Sequence, residues 1–130
     1  MGLIWYIALG SALGGAGRFL LGELVQRATP STFPTGTLVV NVTGCFLLGL
    51  IMRYALETPG VSPGMRAFLA IGICGGYTTF STFGFETARM MEDGEWSRAA
   101  VYVGLSVIVS IAAVFLGFAA ARQLIALRLR

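Results

Sequence analysis

The sequence predicts an all-α integral membrane protein, a single domain over residues 1–130 with four transmembrane helices. Hydrophobic residues make up 56% of the chain, charged residues only 12%, and the mean hydropathy is +0.81. A soluble domain carries about 25% charged residues, so this composition cannot cover a surface that faces water. In addition, the hydrophobic residues fall into four segments, each about as long as a helix that crosses a bilayer.

Loops rich in helix breakers separate the four segments. The first runs over about residues 3–25 and is followed by the loop ATPSTFPTG. The second runs over about 36–56 and ends before a loop with two prolines. The third covers about 65–91, up to the polar stretch MEDGEWS, and the fourth covers about 98–121 before a short basic tail. An even number of spans places both termini on one side of the membrane.

The basic residues are nine arginines, and their distribution leaves the orientation open. Five lie on the side of the termini: Arg53, Arg66, Arg122, Arg128 and Arg130. Three lie on the other side, and one lies within the first span: Arg27, Arg89 and Arg98, and then Arg18. This small bias permits either a fixed orientation with the termini inside or insertion both ways with antiparallel pairing. The net charge of +3 is too small and scattered to predict nucleic-acid binding.

Residue types that support enzyme chemistry are scarce. The chain has no histidine, the commonest general base and metal ligand. Cys45 and Cys74 lie in apolar runs and are predicted to be buried free thiols rather than a disulfide or metal pair. The sequence therefore predicts that the protein is not an enzyme.

Small and polar residues recur at helical spacing within the spans. The patterns Gly10-x-x-x-Gly14 and Gly72-x-x-x-Gly76 predict close helix packing and hence a compact bundle. Two polar stripes at a spacing of four residues are Thr37 and Asn41, and Tyr102, Ser106 and Ser110. Such stripes either form hydrogen bonds between helices, at about 0.6 kcal/mol per contact, or line a polar path. Two stripes together with the motif described next favour the path.

The stretch GGYTTFSTFGFE, residues 75–86, interrupts the third span. Only about ten apolar residues precede it, which is too short to cross a bilayer. Gly75 and Gly76, followed by two threonines, predict a break in the helix near the bilayer centre. Unpaired backbone is tolerated there only within protein or beside a wet cavity, and its freed carbonyl groups can bind a cation.

After the predicted break, Phe80 and Phe83 share one helix face, with Ser81 and Thr82 between them. A phenylalanine pair at this spacing usually packs in an interior, but the flanking hydroxyls here also favour a lining role. No acidic residue stands in the first half of any span, which argues against a cation path. Hydroxyls, one amide and the positive edges of phenyl rings suit an anion.

Three segments, GGAGR (14–18), GTLVVNVTG (36–44) and GGYTTFSTFGFE (75–86), resemble the small bacterial fluoride channels of the Fluc/CrcB family. The resemblance covers the whole chain in length and number of spans. It implies an antiparallel, dual-topology homodimer in the bilayer of the bacterial cytoplasmic (inner) membrane, with two fluoride pores at the subunit interface. The implied function is passive fluoride export and resistance to fluoride toxicity, with no other protein partner.

Together with the polar stripes, the resemblance implies roles for individual residues. The predicted pore residues are Phe80, Phe83, Asn41, Ser81, Thr82, Thr37, Tyr102, Ser106 and Ser110. A structural sodium ion is implied between the subunits, bound by the backbone carbonyl oxygens of Gly75 and Thr78. Arg18 would hold positive potential at a pore vestibule, or would snorkel from its helix to the membrane interface.

Two other functions also fit the size and number of spans. A proton-coupled, dual-topology exporter of the small multidrug resistance type needs an acidic residue in its first span, and residues 3–21 contain none. A membrane scaffold without transport activity would explain the glycine packing but gives no reason for the interrupted third span.

Overall fold

The computed structural model describes residues 2–128, and all regular secondary structure among them is helical. The elements are α1 (Gly2–Ala28), α2 (Thr35–Glu57), α3 (Pro63–Arg66), a π-helical segment (Ala67–Cys74), α4 (Gly75–Tyr77), α5 (Phe80–Glu92) and α6 (Trp96–Arg128). Four helical stretches are long and apolar enough to cross a membrane: Gly2–Ala28, Thr35–Glu57, Pro63–Glu92 and Trp96–Arg128. The prediction of an all-α protein with four such helices is confirmed.

Local sequence explains several helix ends. Ser62 caps α3, because its Oγ accepts a hydrogen bond from the Met65 amide at 3.2 Å and Pro63 occupies the first helical position. The turn between α5 and α6 contains Gly94 at φ 77°, a conformation that favours glycine. Helix α6 continues beyond the predicted apolar segment to Arg128, because its last residues are mostly good helix formers.

Glycines bring α1 into backbone contact with the third span. Gly10 lies against Phe68 and Gly72, and Gly14 lies against the carbonyl group of Ile73. The order of these contacts shows that the two stretches run parallel. Backbones can approach this closely where the glycine on one side carries no Cβ, as the sequence pattern predicts.

We expect Gly14→Ala to destabilise the protein by about 1–3 kcal/mol, because the added Cβ would overlap the Ile73 carbonyl oxygen. The matched control is Gly15→Ala, one residue along α1, where nothing lies within 4 Å of a new Cβ. Thermal unfolding in mild detergent measures the difference. Equal unfolding temperatures for the two variants would contradict this account of the packing.

Both ends of the described chain lie at the same end of the bundle. Near the start of α1, Tyr6 contacts Gly64 of α3. At the end of α6, Nη1 of Arg128 donates a hydrogen bond to the hydroxyl of Tyr54 on α2 at 2.9 Å. Arg130, the fifth arginine predicted for this end, lies outside the described residues.

The third span contains two residues with extended backbone, Thr78 (φ −80°, ψ 158°) and Thr79 (φ −148°, ψ 113°). The prediction that the glycine pair itself breaks the helix is wrong, since Gly75 is helical (φ −66°, ψ −39°) and both glycines belong to α4. Gly76 instead permits a close approach to the backbone of Ser11. The extended residues follow one turn later, where a side chain of α2 binds them.

Candidate functional site

Asn41 of α2 binds the extended backbone of Thr79 on both sides. Its Oδ1 accepts a hydrogen bond from the Thr79 amide at 2.7 Å, and its Nδ2 donates to the Thr79 carbonyl oxygen at 3.0 Å. These bonds replace helical ones that the extended backbone cannot make. The amide nitrogen carries two protons, so one is left over for another acceptor.

A groove of about 260 Å³, here called the phenylalanine groove, lies beside the extended residues. Its lining consists of Asn41, Cys45, Leu48, Thr78, Thr79, Phe80, Phe83, Ser106, Val107 and Ser110. The Phe80 side chain is 82% exposed, and its ring centroid lies 5.5 Å from that of the partly buried Phe83. The groove thus brings together five predicted pore residues: Asn41, Phe80, Phe83, Ser106 and Ser110.

Ser106 presents an unusual feature within this groove. Its Oγ is buried and has no hydrogen-bond partner among residues 2–128. A buried polar group left unpaired costs about 1–3 kcal/mol, so a ligand that enters the groove and pairs with it is favoured.

Of the two free cysteines, Cys74 is buried as predicted, whereas Cys45 is partly exposed on the groove. The prediction that both are buried is therefore wrong for Cys45.

A second cavity, of about 390 Å³ and here called the arginine cavity, adjoins Thr79, one of the two extended residues. It is lined by Gly15, Arg18, Phe19, Gly22, Glu23, Gln26, Gly36, Thr37, Val40, Thr79, Thr82 and Glu86. Thr79 lines both spaces and therefore stands between them. Among residues 2–128, Arg18 forms no ion pair with an acidic side chain.

Glu86 lies between the arginine cavity, which it lines, and the packed rings of Tyr102, Phe83 and Phe33. The Thr37 hydroxyl donates a hydrogen bond to Glu86 Oε1 at 2.8 Å, and the Tyr102 hydroxyl donates to Oε2 at 2.6 Å. Tyr102 is fully buried, and its ring centroid lies 5.3 Å from that of Phe83 and 5.4 Å from that of Phe33, whose ring is nearly perpendicular to it. Thr37 and Tyr102, both predicted as pore lining, therefore direct their protons to a carboxylate rather than to the phenylalanine groove.

Sequence reasoning did not assign a role to Glu86, although a signal was present. An ionisable residue inside an apolar span marks a candidate functional site, and Glu86 lies three residues after Phe83, on the same helix face. Its partners could not be read from the sequence, because they come from two other helices.

Thr79 caps the first turn of α5. Its Oγ1 accepts a hydrogen bond from the Thr82 amide at 3.2 Å, donates to the Thr82 hydroxyl at 2.9 Å, and lies 3.3 Å from the hydroxyl of Ser81. Both Ser81 and Thr82 are exposed. Thr82 lines the arginine cavity, whereas Ser81 lies outside the linings of the cavity and the groove.

The carbonyl oxygens of Gly75 and Thr78 lose their ordinary helical partners. In a continuous helix they would accept from the amides four residues ahead, which belong to Thr79 and Thr82. Those amides donate instead to Asn41 Oδ1 and to Thr79 Oγ1. Oxygen ligands suit a hard cation, so the donor set fits the implied sodium ion, although two oxygens are too few to surround it.

These features define a multi-pass membrane protein with polar spaces on either side of an interrupted third span. The chain matches the family described as CrcB-like protein, Camphor Resistance (CrcB), over residues 5–118. It is 50% identical over 118 residues to the fluoride-specific ion channel FluC of Geobacter metallireducens, covering 91% of this chain and 95% of that relative.

Two further relatives carry the same name. The protein of Geotalea daltonii is 45% identical over 124 residues, with 95% of this chain and all (100%) of the relative covered. That of Rhizobium meliloti is 43% identical over 126 residues, with 96% and 100% covered. The chain therefore belongs to the CrcB family, and the resemblance predicted from the sequence is confirmed. These relatives are named as ion channels and not as enzymes, which agrees with the sequence prediction and gives no support to the drug-exporter alternative.

Proposed function

We propose that this chain is a fluoride-selective ion channel that mediates passive fluoride export and thereby gives resistance to fluoride toxicity. The names of the relatives support the ion and the mode of transport. The structural observation that carries the proposal is the phenylalanine groove, whose lining combines ring edges, an amide and an unpartnered hydroxyl without any charged residue. Such a lining attracts an anion weakly and offers a cation no carboxylate.

Fluoride is strongly hydrated, so a conducting groove must replace its water with several modest contacts. The edges of Phe80 and Phe83 supply weak positive potential, the remaining Nδ2 proton of Asn41 supplies a donor, and Ser106 supplies a hydroxyl that has no other partner. None of these contacts is a fixed positive charge. An ion held in this way can leave as readily as it enters.

The direction of transport follows from the membrane rather than from the protein. Neutral hydrogen fluoride enters from acidic surroundings and dissociates at the neutral internal pH, which traps the anion. In a bacterial cytoplasmic (inner) membrane that is negative inside, a passive pore then expels fluoride, with about 2.3 kcal/mol per 100 mV for each charge.

The decisive experiment is efflux from liposomes that contain the purified protein and are loaded with fluoride or chloride. An added potassium ionophore balances the charge, and liposomes without protein give the background. We expect rapid loss of fluoride and background loss of chloride. Equal rates for the two anions, or no fluoride flux at all, would overturn the proposal.

The proposal includes an antiparallel homodimer with two pores at its interface. The phenylalanine groove is open along one side, with Phe80 82% exposed, so one chain supplies an incomplete wall. The turn between α5 and α6 is acidic, with Glu92, Asp93 and Glu95, whereas the opposite end of the bundle is rich in arginine. Antiparallel pairing would place these opposite charges at the same membrane face.

Two measurements test the dimer. Light scattering in mild detergent should give two chains per particle, and a monomer with full fluoride flux would contradict this part of the proposal. An impermeant thiol reagent should label Ser97→Cys, at the exposed start of α6, from both sides of sealed vesicles. Labelling from one side only would show a fixed orientation.

We further propose that the carbonyl oxygens of Gly75 and Thr78 from both subunits hold one sodium ion on the dimer axis. The diversion of their helical partners to Asn41 and Thr79 supports this role. The exposure of Gly75 at the bundle surface makes its backbone accessible to a second chain. An omit map from crystals of the dimer should show density between these carbonyl groups. Its absence at high resolution would remove the ion and leave the channel proposal standing.

A further inference from the structure

Gln26, in the last turn of α1, uses every hydrogen-bonding position of its side chain. Its Nε2 donates to the carbonyl oxygens of Ser31 at 2.9 Å and Phe33 at 3.1 Å. Its Oε1 accepts from the Gly36 amide at 3.1 Å and from the Thr35 hydroxyl at 3.3 Å. A primary amide offers two donors and two acceptor positions, so this side chain is fully satisfied.

The hydrogen bonds from the Thr35 hydroxyl and the Gly36 amide to Gln26 cap the N-terminus of α2, whose own N-cap residue provides no side-chain acceptor. The first amides of a helix have no partners within it, and Pro34 at the N-cap position of α2 gives no side-chain hydrogen bond. Gln26 provides an acceptor to Gly36, the second residue of α2, from a different helix. The orientation of its amide group is determined, because the Gly36 amide can only donate and the two loop carbonyl groups can only accept.

Gln26 forms hydrogen bonds with the α1–α2 loop and with the start of α2, and both of these segments contact Glu86 or one of its donors. Thr37 follows Gly36 directly and donates to Glu86 at 2.8 Å. Phe33, whose carbonyl oxygen accepts from Gln26, packs its ring at nearly a right angle to that of Tyr102, the second donor to that carboxylate. A shift of the loop or of the start of α2 would therefore disturb both donors together.

We propose that Gln26 is a positioning residue that sets the geometry of Glu86 and its two donors, and through them the rate of ion flux. Gln26 and Glu86 both line the arginine cavity and also a neighbouring cavity of about 540 Å³ beside the α1–α2 loop. The hydrogen bonds of Gln26 thus fix part of the wall between two polar spaces. This inference rests on the proposed channel function, and it does not require contact between Gln26 and the ion.

The test compares three substitutions. Gln26→Met keeps the approximate length of the side chain and removes all four hydrogen bonds, whereas Gln26→Glu keeps the acceptor for Gly36 and removes the two donors. Gln123→Met, at an exposed position of α6, is the matched control. We expect fluoride efflux per folded protein to fall about tenfold in Gln26→Met and to stay unchanged in the control. It should fall at least as far in Gln26→Glu, because the new carboxylate faces the carbonyl oxygens of Ser31 and Phe33 and repels them.

A double-mutant cycle with Thr37→Val separates positioning from general stability. If Gln26 acts through Thr37, the double variant loses little more flux than the more affected single variant, because both changes disrupt one unit. Multiplied losses, or unchanged flux per folded protein in Gln26→Met, would overturn the proposal.

Hydrogen exchange gives a readout that does not depend on ion flux. The Gly36 amide should exchange faster in Gln26→Met than in the Gln123→Met control, since it loses its acceptor. Unchanged exchange would overturn the positioning role. A wild-type protein without fluoride flux would instead overturn the channel function.

Discussion

Replacing Phe80 or Phe83 with isoleucine should remove most fluoride flux while the protein stays folded. Isoleucine keeps much of the bulk and the hydrophobicity but has no polarised ring edge. If the rings only pack, such a swap costs less than about 1.5 kcal/mol of stability and flux survives. Because Phe80 is 82% exposed, its ring makes little packing contribution within one chain. We expect each substitution to lower flux at least about tenfold, the equivalent of about 1.4 kcal/mol in the barrier.

Efflux from liposomes, measured beside size-exclusion profiles and thermal unfolding, distinguishes the two explanations. The matched control is Phe115→Ile, a phenylalanine of α6 that is 64% exposed and lies outside the linings of the groove and both cavities. Its flux should equal that of the wild type. Wild-type flux in both Phe80→Ile and Phe83→Ile would make these side chains packing residues and would remove the groove as the ion path.

Asn41→Asp should stop fluoride flux almost completely. A carboxylate at this position places a negative charge on the groove, and at about 4 Å and an effective dielectric constant of about 20 it repels an anion by about 4 kcal/mol. Aspartate also lacks the N–H group that Asn41 donates to the Thr79 carbonyl oxygen. The two oxygens then repel each other, and the extended backbone before α5 loses one of its two supports.

Asn41→Leu separates the effect of the charge from the effect on the backbone, because leucine removes both hydrogen bonds and adds no charge. Fluoride efflux and thermal unfolding should be measured for both variants. We expect both to be less stable than the wild type and the aspartate variant to conduct less per folded protein. Equal flux in the two variants would reduce Asn41 to its role in holding Thr79, and wild-type flux in Asn41→Asp would exclude it from the path.

Much of the fold could be predicted because its signals are local. The length of an apolar run and the breakers that bound it are visible in any single segment, and they give four spans. The position of the interruption is different, since glycine permits a break without requiring one. The extended backbone of Thr79 depends on Asn41, which lies 38 residues away in the sequence, and this contact is tertiary.

The sequence predicted many of the residues that belong to the candidate site. It could not predict that they are split between the Glu86 carboxylate and the phenylalanine groove. Tyr102 and Ser110, the two ends of the stripe that includes Ser106, are eight residues apart, or about 12 Å along α6. Over that length Tyr102 forms a hydrogen bond with Glu86, whereas Ser106 and Ser110 line the phenylalanine groove. Residues of one regularly spaced stripe therefore belong to two different sites. Gln26 gave no signal, because a polar residue near a helix end is ordinary and its partners lie in the following loop.

The bond between Asn41 and Thr79 has a consequence for biogenesis. Each unsatisfied backbone group in the hydrocarbon region costs several kcal/mol, so the third span enters the bilayer at a penalty unless its partner is already there. Asn41 precedes Thr79 in the chain and belongs to the preceding span. During synthesis from the N-terminus, Asn41 is therefore made before Thr79. When the third span enters the bilayer, the second span can already provide the donor and the acceptor that the Thr79 backbone lacks. The order of the spans in the sequence thus lowers the free-energy cost of inserting the third span into the bilayer.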